Sequence, residues 1–252
     1  MAVTVLSGTS GALYYKPAGT VGTFGTSNVT IGTETIVVQS YLNLKVGDPV
    51  QFKVINSQTG GSGTGTLPAG LSAGTTYYVI AYTASTGALQ VSATAGGSAV
   101  NLTDVGTAAS PNEFEVFYDD YAAVGQVQSW SFEVTRSEID VTTIGGTIGQ
   151  YAPFKTYISG FADGTGTASV YVTDEDSALS NRMVEDVLQR QQVGAAFKLY
   201  QDKQATEALS RSISMDAVLL GATFNINAED SQIVEVSFRP TNTPNFDFST
   251  SS

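Results

Sequence analysis

Over most of this chain the large apolar residues fall at every second position, and that rhythm commits it to β-strands buried on one face. Trp130, Phe132 and Val134 share one side of a run whose other side is Ser131, Glu133 and Thr135. Val170 and Val172 flank Tyr171, Phe197 and Leu199 flank Lys198, and Ile213 and Met215 flank Ser214. Val234, Val236 and Phe238 alternate with Glu235, Ser237 and Arg239, and Phe154, Thr156 and Ile158 with Lys155, Tyr157 and Ser159. The predicted core stripe is therefore Trp130, Phe132, Val134, Val170, Val172, Val234, Val236 and Phe238. Asp163-Gly164-Thr165-Gly166 has the composition of a tight turn and predicts a hairpin.

One segment breaks the rhythm. Leu179, Met183, Val184, Val187 and Leu188 repeat at steps of three and four, which predicts a helix over about 177–193. Thr173 to Ser177 supplies capping side chains and acidic charge at its start, and Gly194 a stop at its end. Leu179, Met183, Val187 and Leu188 are its expected packing residues. Asn181, Arg182, Glu185, Asp186, Gln189 and Arg190 form the polar side, so the helix should lie on one face of a sheet.

From Thr23 to Phe117 the texture changes: more Gly and Thr, little charge. Strands are expected at Thr35–Gln39, Val50–Val54, Thr75–Thr83, Ala88–Ser92 and Glu113–Tyr118. Ser85-Thr86-Gly87 closes a hairpin, and Ser57–Gly65 reads as a flexible loop. This stretch is expected to be a small β-barrel or sandwich of its own. It is inserted at 23–117 into a second β domain made of 1–22 and 118–252. The fold class is mainly β, a sandwich or half-barrel with one flanking helix and an inserted all-β domain. No internal repeat is visible.

The chemistry open to the chain is narrow. It has no histidine and no cysteine. That removes the commonest general base, thiolate nucleophiles, disulfides and the usual transition-metal ligands. No glycine-rich loop opens a helix to cradle phosphate. Asp174-Glu175-Asp176 could attract calcium but lacks the spacing of a calcium loop, and acids at a helix start explain it more simply. Among 23 acids no pair stands out for glycoside hydrolysis. An enzymatic role, a metal and a cofactor are therefore not expected. Trp130 with Tyr77, Tyr78, Tyr82, Tyr118 and Tyr121 could make a glycan platform, though large aromatics more often fill cores and interfaces. A net charge of −12 argues against a surface that grips nucleic acid or anionic membrane. Charged residues are only 13% of the chain, a shortage that suggests much of the surface is not left facing water. The start of the chain shows no signal peptide and no apolar run is long enough to span a bilayer, so synthesis in the cytoplasm is expected.

Two stretches carry a resemblance. Ser129-Trp-Ser-Phe-Glu-Val-Thr-Arg-Ser-Glu-Ile-Asp-Val-Thr-Thr-Ile-Gly-Gly is followed by Tyr157-Ile-Ser-Gly and Thr165-Gly-Thr-Ala-Ser-Val-Tyr-Val. The closing part runs from Ala208 through Phe224-Asn-Ile to Ile233-Val-Glu-Val-Ser-Phe-Arg-Pro. Together, over roughly 118–240, they resemble the major tail tube proteins of long-tailed bacteriophages. Val46-Gly-Asp-Pro-Val-Gln-Phe, Thr66–Ile80 and Leu89–Thr103 resemble a small β module of phage virion proteins.

The resemblance implies a structural protein of the virion tail that polymerises as stacked hexameric rings around a channel for DNA. Its partners would be other copies and the tape-measure, terminator and baseplate proteins, with DNA passing unbound and no membrane involved. Met1–Gly22 and Pro240–Ser252 are candidate inter-ring contacts. Outside the insert stand 18 acids against 9 bases, and a carboxylate-lined lumen would repel DNA phosphates. Glu133, Glu138, Asp140 and Glu235 are the lumen candidates, expected on the strand faces opposite the core stripe; a merely solvated face is the competing explanation. The rival function is a host-binding fibre or baseplate adhesin, in which the insert's aromatics would hold glycan.

Overall fold

The computed structural model describes residues 10–55, 65–107, 114–142, 155–174, 178–225 and 231–248. Residues 1–9 of the N-terminal arm and 57–64 of the glycine-rich loop lie outside the described residues. So do Glu113, Phe154, Glu175, Asp176, Ser177 and the last four residues. In chain order the strands are β1 (Ala12–Lys16), β2 (Gly22–Phe24), β3 (Val29–Thr30), β4 (Thr35–Val37) and β5 (Pro49–Val54). Then come β6 (Tyr77–Thr83), β7 (Ala88–Ser92), β8 (Phe114–Tyr118), β9 (Ala122–Ala123) and β10 (Val127–Asp140). β11 (Tyr157–Tyr171) precedes the helix α1 (Leu179–Asp186), and β12 (Ala196–Asp202), β13 (Arg211–Asn225), β14 (Ile233–Pro240) and β15 (Asn245–Asp247) follow.

The strands form two antiparallel sheets. One runs β10-β11-β14-β13-β12-β1-β9, with β15 also on β13. The other runs β2-β8-β5-β6-β7-β4-β3. Each has its own core. Phe24, Val50, Phe52, Leu89, Phe114 and Val116 are among the residues that fill that of the second sheet. Leu13, Tyr15, Ala168, Val170, Met183, Phe197, Leu199, Val234, Val236 and Phe238 are among those that fill that of the first.

β13 is the spine of the first sheet. Its first part, to Asp216, pairs with β12, and Ala217–Asn225 pairs with β14. The two halves close on one core, where Phe197 of β12 stacks on Phe238 of β14 with ring centroids 4.1 Å apart. Hairpin β6–β7 turns at Ser85-Thr86-Gly87, where the Thr83 carbonyl accepts from the N–H groups of Thr86 and Gly87. Gly87 has φ +74°, and a Cβ there would meet the Val38 carbonyl oxygen, so glycine is required.

Three expectations about local structure fail. Asp163-Gly164-Thr165-Gly166 is no turn but the interior of β11. Its glycines serve close packing, because a Cβ on Gly166 would stand 2.2 Å from the Phe238 ring. The helix ends at Asp186, followed by a turn at Val187–Leu188, instead of running to residue 193. Beyond it the polar groups take tertiary partners: Gln189 Nε2 donates to the Tyr41 carbonyl and the Val193 carbonyl accepts from Gly19. Leu188 therefore leaves the apolar stripe and stands 89% exposed. The predicted core stripe also loses Val134 and Val172, both exposed. β11 ends at Tyr171, before Val172, and Val134 lies where β10 and β11 have run past β14. Ile158 is exposed for the same reason.

Gly166→Ala is expected to destabilise the fold by about 1–3 kcal/mol, since the added methyl must displace the Phe238 ring. Chemical denaturation of the purified variant measures this.

Candidate functional site

The feature without a structural purpose of its own is the sheet half β10-β11-β14-β13. β10 pairs with β11 on one side and, among the described residues, with no strand on the other. β13 beyond Leu219 has β14 on one side and, among the described residues, no strand on the other. A four-stranded antiparallel sheet thus ends in two open edges running in opposite directions. The edge of β13 is bordered by exposed Leu220 and Phe224, 53% and 58% accessible.

Alternation fixes the two faces of this half-sheet. Trp130 stands opposite Ala168, which stands opposite Val236; Phe132, Gly166 and Phe238 make the next row. These rows face the core, with Trp130 and Phe132 half-buried and Val170, Val234, Val236 and Phe238 buried. The other face is bare. It carries Ser129, Ser131 and Glu133 on β10, Thr165, Thr167 and Ser169 on β11, Glu235, Ser237 and Arg239 on β14, and Thr223 on β13. Ser131 and Thr167 hydroxyls bond across the strands at 2.8 Å.

The four lumen candidates divide between the faces. Glu133 and Glu235 lie on the bare face and are exposed. Glu138 and Asp140 fall on the parity of Phe132 and Val134, so they do not stand opposite the core stripe as expected. The register shift between Arg136 and Glu138 places its extra residue on β11, near Gly160 and Phe161, and leaves the alternation of β10 from Ser129 to Asp140 intact. Asp140 is also engaged: it accepts from Thr142 N, pairs with Lys155 at 3.3 Å, and is held below the usual carboxylate range by the bonds to Thr142 and Lys155.

β14 pairs with β11 only from Gly166 onward. The rest of β10 and β11 projects as a two-stranded arm carrying exposed Val134, Ile139, Tyr157 and Ile158, and Phe161 at 91% exposure. A two-stranded ribbon is marginal by itself in water, and this one exposes apolar side chains on both faces.

α1 holds the first sheet's core side to the second sheet. Leu179, Met183, Val184 and Val187 pack on the core. The polar side of the helix is divided: Glu185 and Arg190 are exposed, while Arg182, 1% exposed, and Asp186 are buried. Arg182 donates to Asp48 at 2.5 Å and to the Asn43 carbonyl at 2.6 Å. Asp186 accepts from Tyr15 OH at 2.6 Å, Ala18 N at 2.9 Å and Asn43 Nδ2 at 2.5 Å. Lys45 pairs with Glu185 at 2.6 Å. Burial pushes the Asp186 carboxyl up to about 6 against the pull of its donors and Arg182, and burial raises Asp48 likewise. Tyr15 is raised well above its ordinary value by desolvation and the neighbouring carboxylate. This clamp went unpredicted, although its signal is present: 182, 185, 186 and 189 form a polar stripe at helical spacing.

The chemistry elsewhere is thin. A groove of about 690 Å³ between β1 and the start of β10 is lined by Tyr14, Trp130, Tyr200 and backbone, with no carboxylate or cation. Among the described residues no group of three acids gathers at metal-binding distance. Among the described residues no helix is long and apolar enough to cross a membrane.

No family model matches the chain, and no curated protein matches it. Solved structures to which part of the chain is similar include a chain of the virion of a native gene transfer agent particle, 9% identical, with a TM-score of 0.38 over 50% of this chain and 88% of that one. A chain from the tail of an empty gene transfer agent particle, refined with C6 symmetry, is 8% identical, with a TM-score of 0.38 over 50% of this chain and 86% of that one. The SPP1 tail tube is 12% identical, with a TM-score of 0.38 over 52% of this chain and 70% of that one.

Arg182→Met is expected to cost about 3–5 kcal/mol, because it leaves the buried Asp48 carboxylate without its ion-pair partner and removes the donor to the Asn43 carbonyl. Urea unfolding at neutral pH measures the loss.

Proposed function

We propose that this chain is the repeating subunit of a phage tail tube, a structural protein without catalytic chemistry. The observation that carries the reading is a four-stranded sheet with two open edges and one bare hydroxylated face. An even number of antiparallel strands leaves the outer two pointing in opposite directions. β13 of one copy can therefore accept β10 of the next and continue the same antiparallel sheet. Repetition of that heterologous contact closes a ring. The resemblance of 118–240 to tail tube proteins supplies the ring size. Six copies at about 4.8 Å per strand give a circumference of roughly 115 Å, wide enough to pass duplex DNA.

Rings would stack through the projecting β10–β11 arm, whose exposed Phe161, Ile158 and Ile139 need a cover, and through the terminal segments. The bare face lines the channel. Glu133 and Glu235 are its acids, with Asp163 at its margin beside Arg239; Glu138 and Asp140 belong to the arm. DNA would slide past carboxylates and hydroxyls during ejection. The assembly sits in the virion tail and meets the tape-measure, terminator and baseplate proteins at its ends.

We divide the chain into a wall domain, 1–22 and 118–252, and an inserted domain, 23–117. From the channel outward the layers run bare face, sheet, α1, then the 41–48 loop of the insert held by the Arg182–Asp186 clamp. The insert therefore decorates the outside of the tube and takes no part in the channel.

Electron microscopy of the purified protein should show hollow tubes or six-fold rings; compact trimers that bind glycan would favour an adhesin instead. Leu220→Lys with Phe224→Lys, both over half exposed, should leave the monomer folded by circular dichroism and abolish rings. Glu133→Lys with Glu235→Lys should leave rings intact while slowing DNA ejection from virions, and unchanged ejection would remove the lumen assignment.

A further inference from the structure

At the point where β12 leaves β13, a side chain takes over the ladder. β12 pairs with β13 as far as Ala196 opposite Asp216, and Ala217 N then donates to the Ala195 carbonyl. The next rung is made by Gln192, whose backbone has already turned away, with its carbonyl accepting from Ala195 N. Its Nε2 donates to the Leu219 carbonyl at 3.1 Å, and its Oε1 accepts from Leu219 N at 2.7 Å. One amide side chain thus makes both bonds that a strand residue would make. The open stretch of β13 begins immediately beyond, at the exposed Leu220.

We propose that Gln192 is the register stop of the subunit interface: by filling the rung at Leu219 it fixes where a second copy's β10 must begin on β13. The inference rests on the ring assembly proposed above and names the residue that makes its contact unique.

The need for a stop follows from the bare face. A one-residue slip of an added strand turns its side chains to the wrong face and is penalised. A two-residue slip keeps the faces, and over Ser129 and Ser131 of β10 it exchanges like for like, while the outward positions of β13 that it would meet are the small Gly221 and Thr223. Side-chain pattern thus discriminates weakly between registers two residues apart. With Leu219 N–H and C=O already bonded, a strand sliding that way gains no hydrogen bonds and meets the 192–195 turn. Gln192 supplies the discrimination that hydroxyls cannot.

The absence of native cysteine makes the register directly readable. Thr223→Cys is combined in turn with Ser129→Cys, Ser131→Cys, Glu133→Cys and Thr135→Cys in the full chain. Disulfide-linked oligomers of the assembled protein are then resolved on non-reducing gels. With Gln192 present, one partner position should dominate those two residues away by roughly tenfold, the bias carried by two net hydrogen bonds. Gln192→Ala should spread the linkage over positions two residues apart. Gln192→Leu, which keeps the volume and removes both bonds, should do the same if the alanine variant folds poorly. A single unchanged register in a folded, assembled Gln192 variant would overturn the proposal. Absence of any linkage or assembly with Gln192 present would instead sink the ring reading beneath it.

Discussion

A strand edge is a row of backbone donors and acceptors, and each must find a partner or water. Most β proteins hide or blunt their edges. This chain does so within its second sheet by winding short strands around one core, yet leaves β10 and the end of β13 open in the first. The open edges are long, flank a polar face and are bordered by exposed apolar side chains. In a monomer that combination invites uncontrolled pairing. In a ring the same edges are consumed by identical neighbours, and the scarcity of charge ceases to be a solubility problem.

Edge pairing demands a rigid sheet, and the helix supplies the backing. α1 is only two turns long, too short to be stable by propensity. Its apolar stripe is held by the core and its polar stripe by the 41–48 loop. Burying Arg182 with two carboxylates is expensive, and such a cluster stabilises less than apolar packing would. Its effect is specificity: planar guanidinium bonds to Asp48 and the Asn43 carbonyl fix one orientation of the second sheet against the first. Asn181, bonded to both backbone groups of Thr173, ties the segment before the helix to its exposed side.

Where burial on one face decided the structure, the residues announced it. The alternation of Val234, Val236 and Phe238 and the strands Pro49–Val54 and Ala88–Ser92 are legible because each side chain has only two directions to choose from. What escaped depended on partners remote in the chain. Gly164 and Gly166 read as a turn because glycine's local preference is visible while the Phe238 ring that excludes a Cβ lies far away in sequence. Val134 reads as core because alternation says which residues share a face, not whether anything covers it. Leu188 fits the helical period, but Gln189 and Gln192 find better partners outside the helix. Arg182 and Asp186 look like surface charges until Asp48, Asn43 and Tyr15 come within reach.

As the proposed channel wall, the bare face would meet two opposed demands. Repelling DNA favours carboxylates, but carboxylates crowded around a narrow ring also repel one another and oppose closure. In a six-membered ring, equivalent glutamates are about 19 Å apart along the wall, taking four strands at about 4.8 Å each. That exceeds the Debye length of about 8 Å at physiological salt, so one acid per strand row leaves closure almost unpenalised. Duplex phosphates sliding close to the wall still meet each charge in turn. Filling the remaining positions with Ser and Thr keeps the wall hydrated without adding charge or a cationic foothold. The one arginine there, Arg239, stands 3.8 Å from Asp163, which offsets its attraction for phosphate. Sparse acid on a hydroxyl ground would meet both demands, on the same face for which a register stop at Leu219 is proposed.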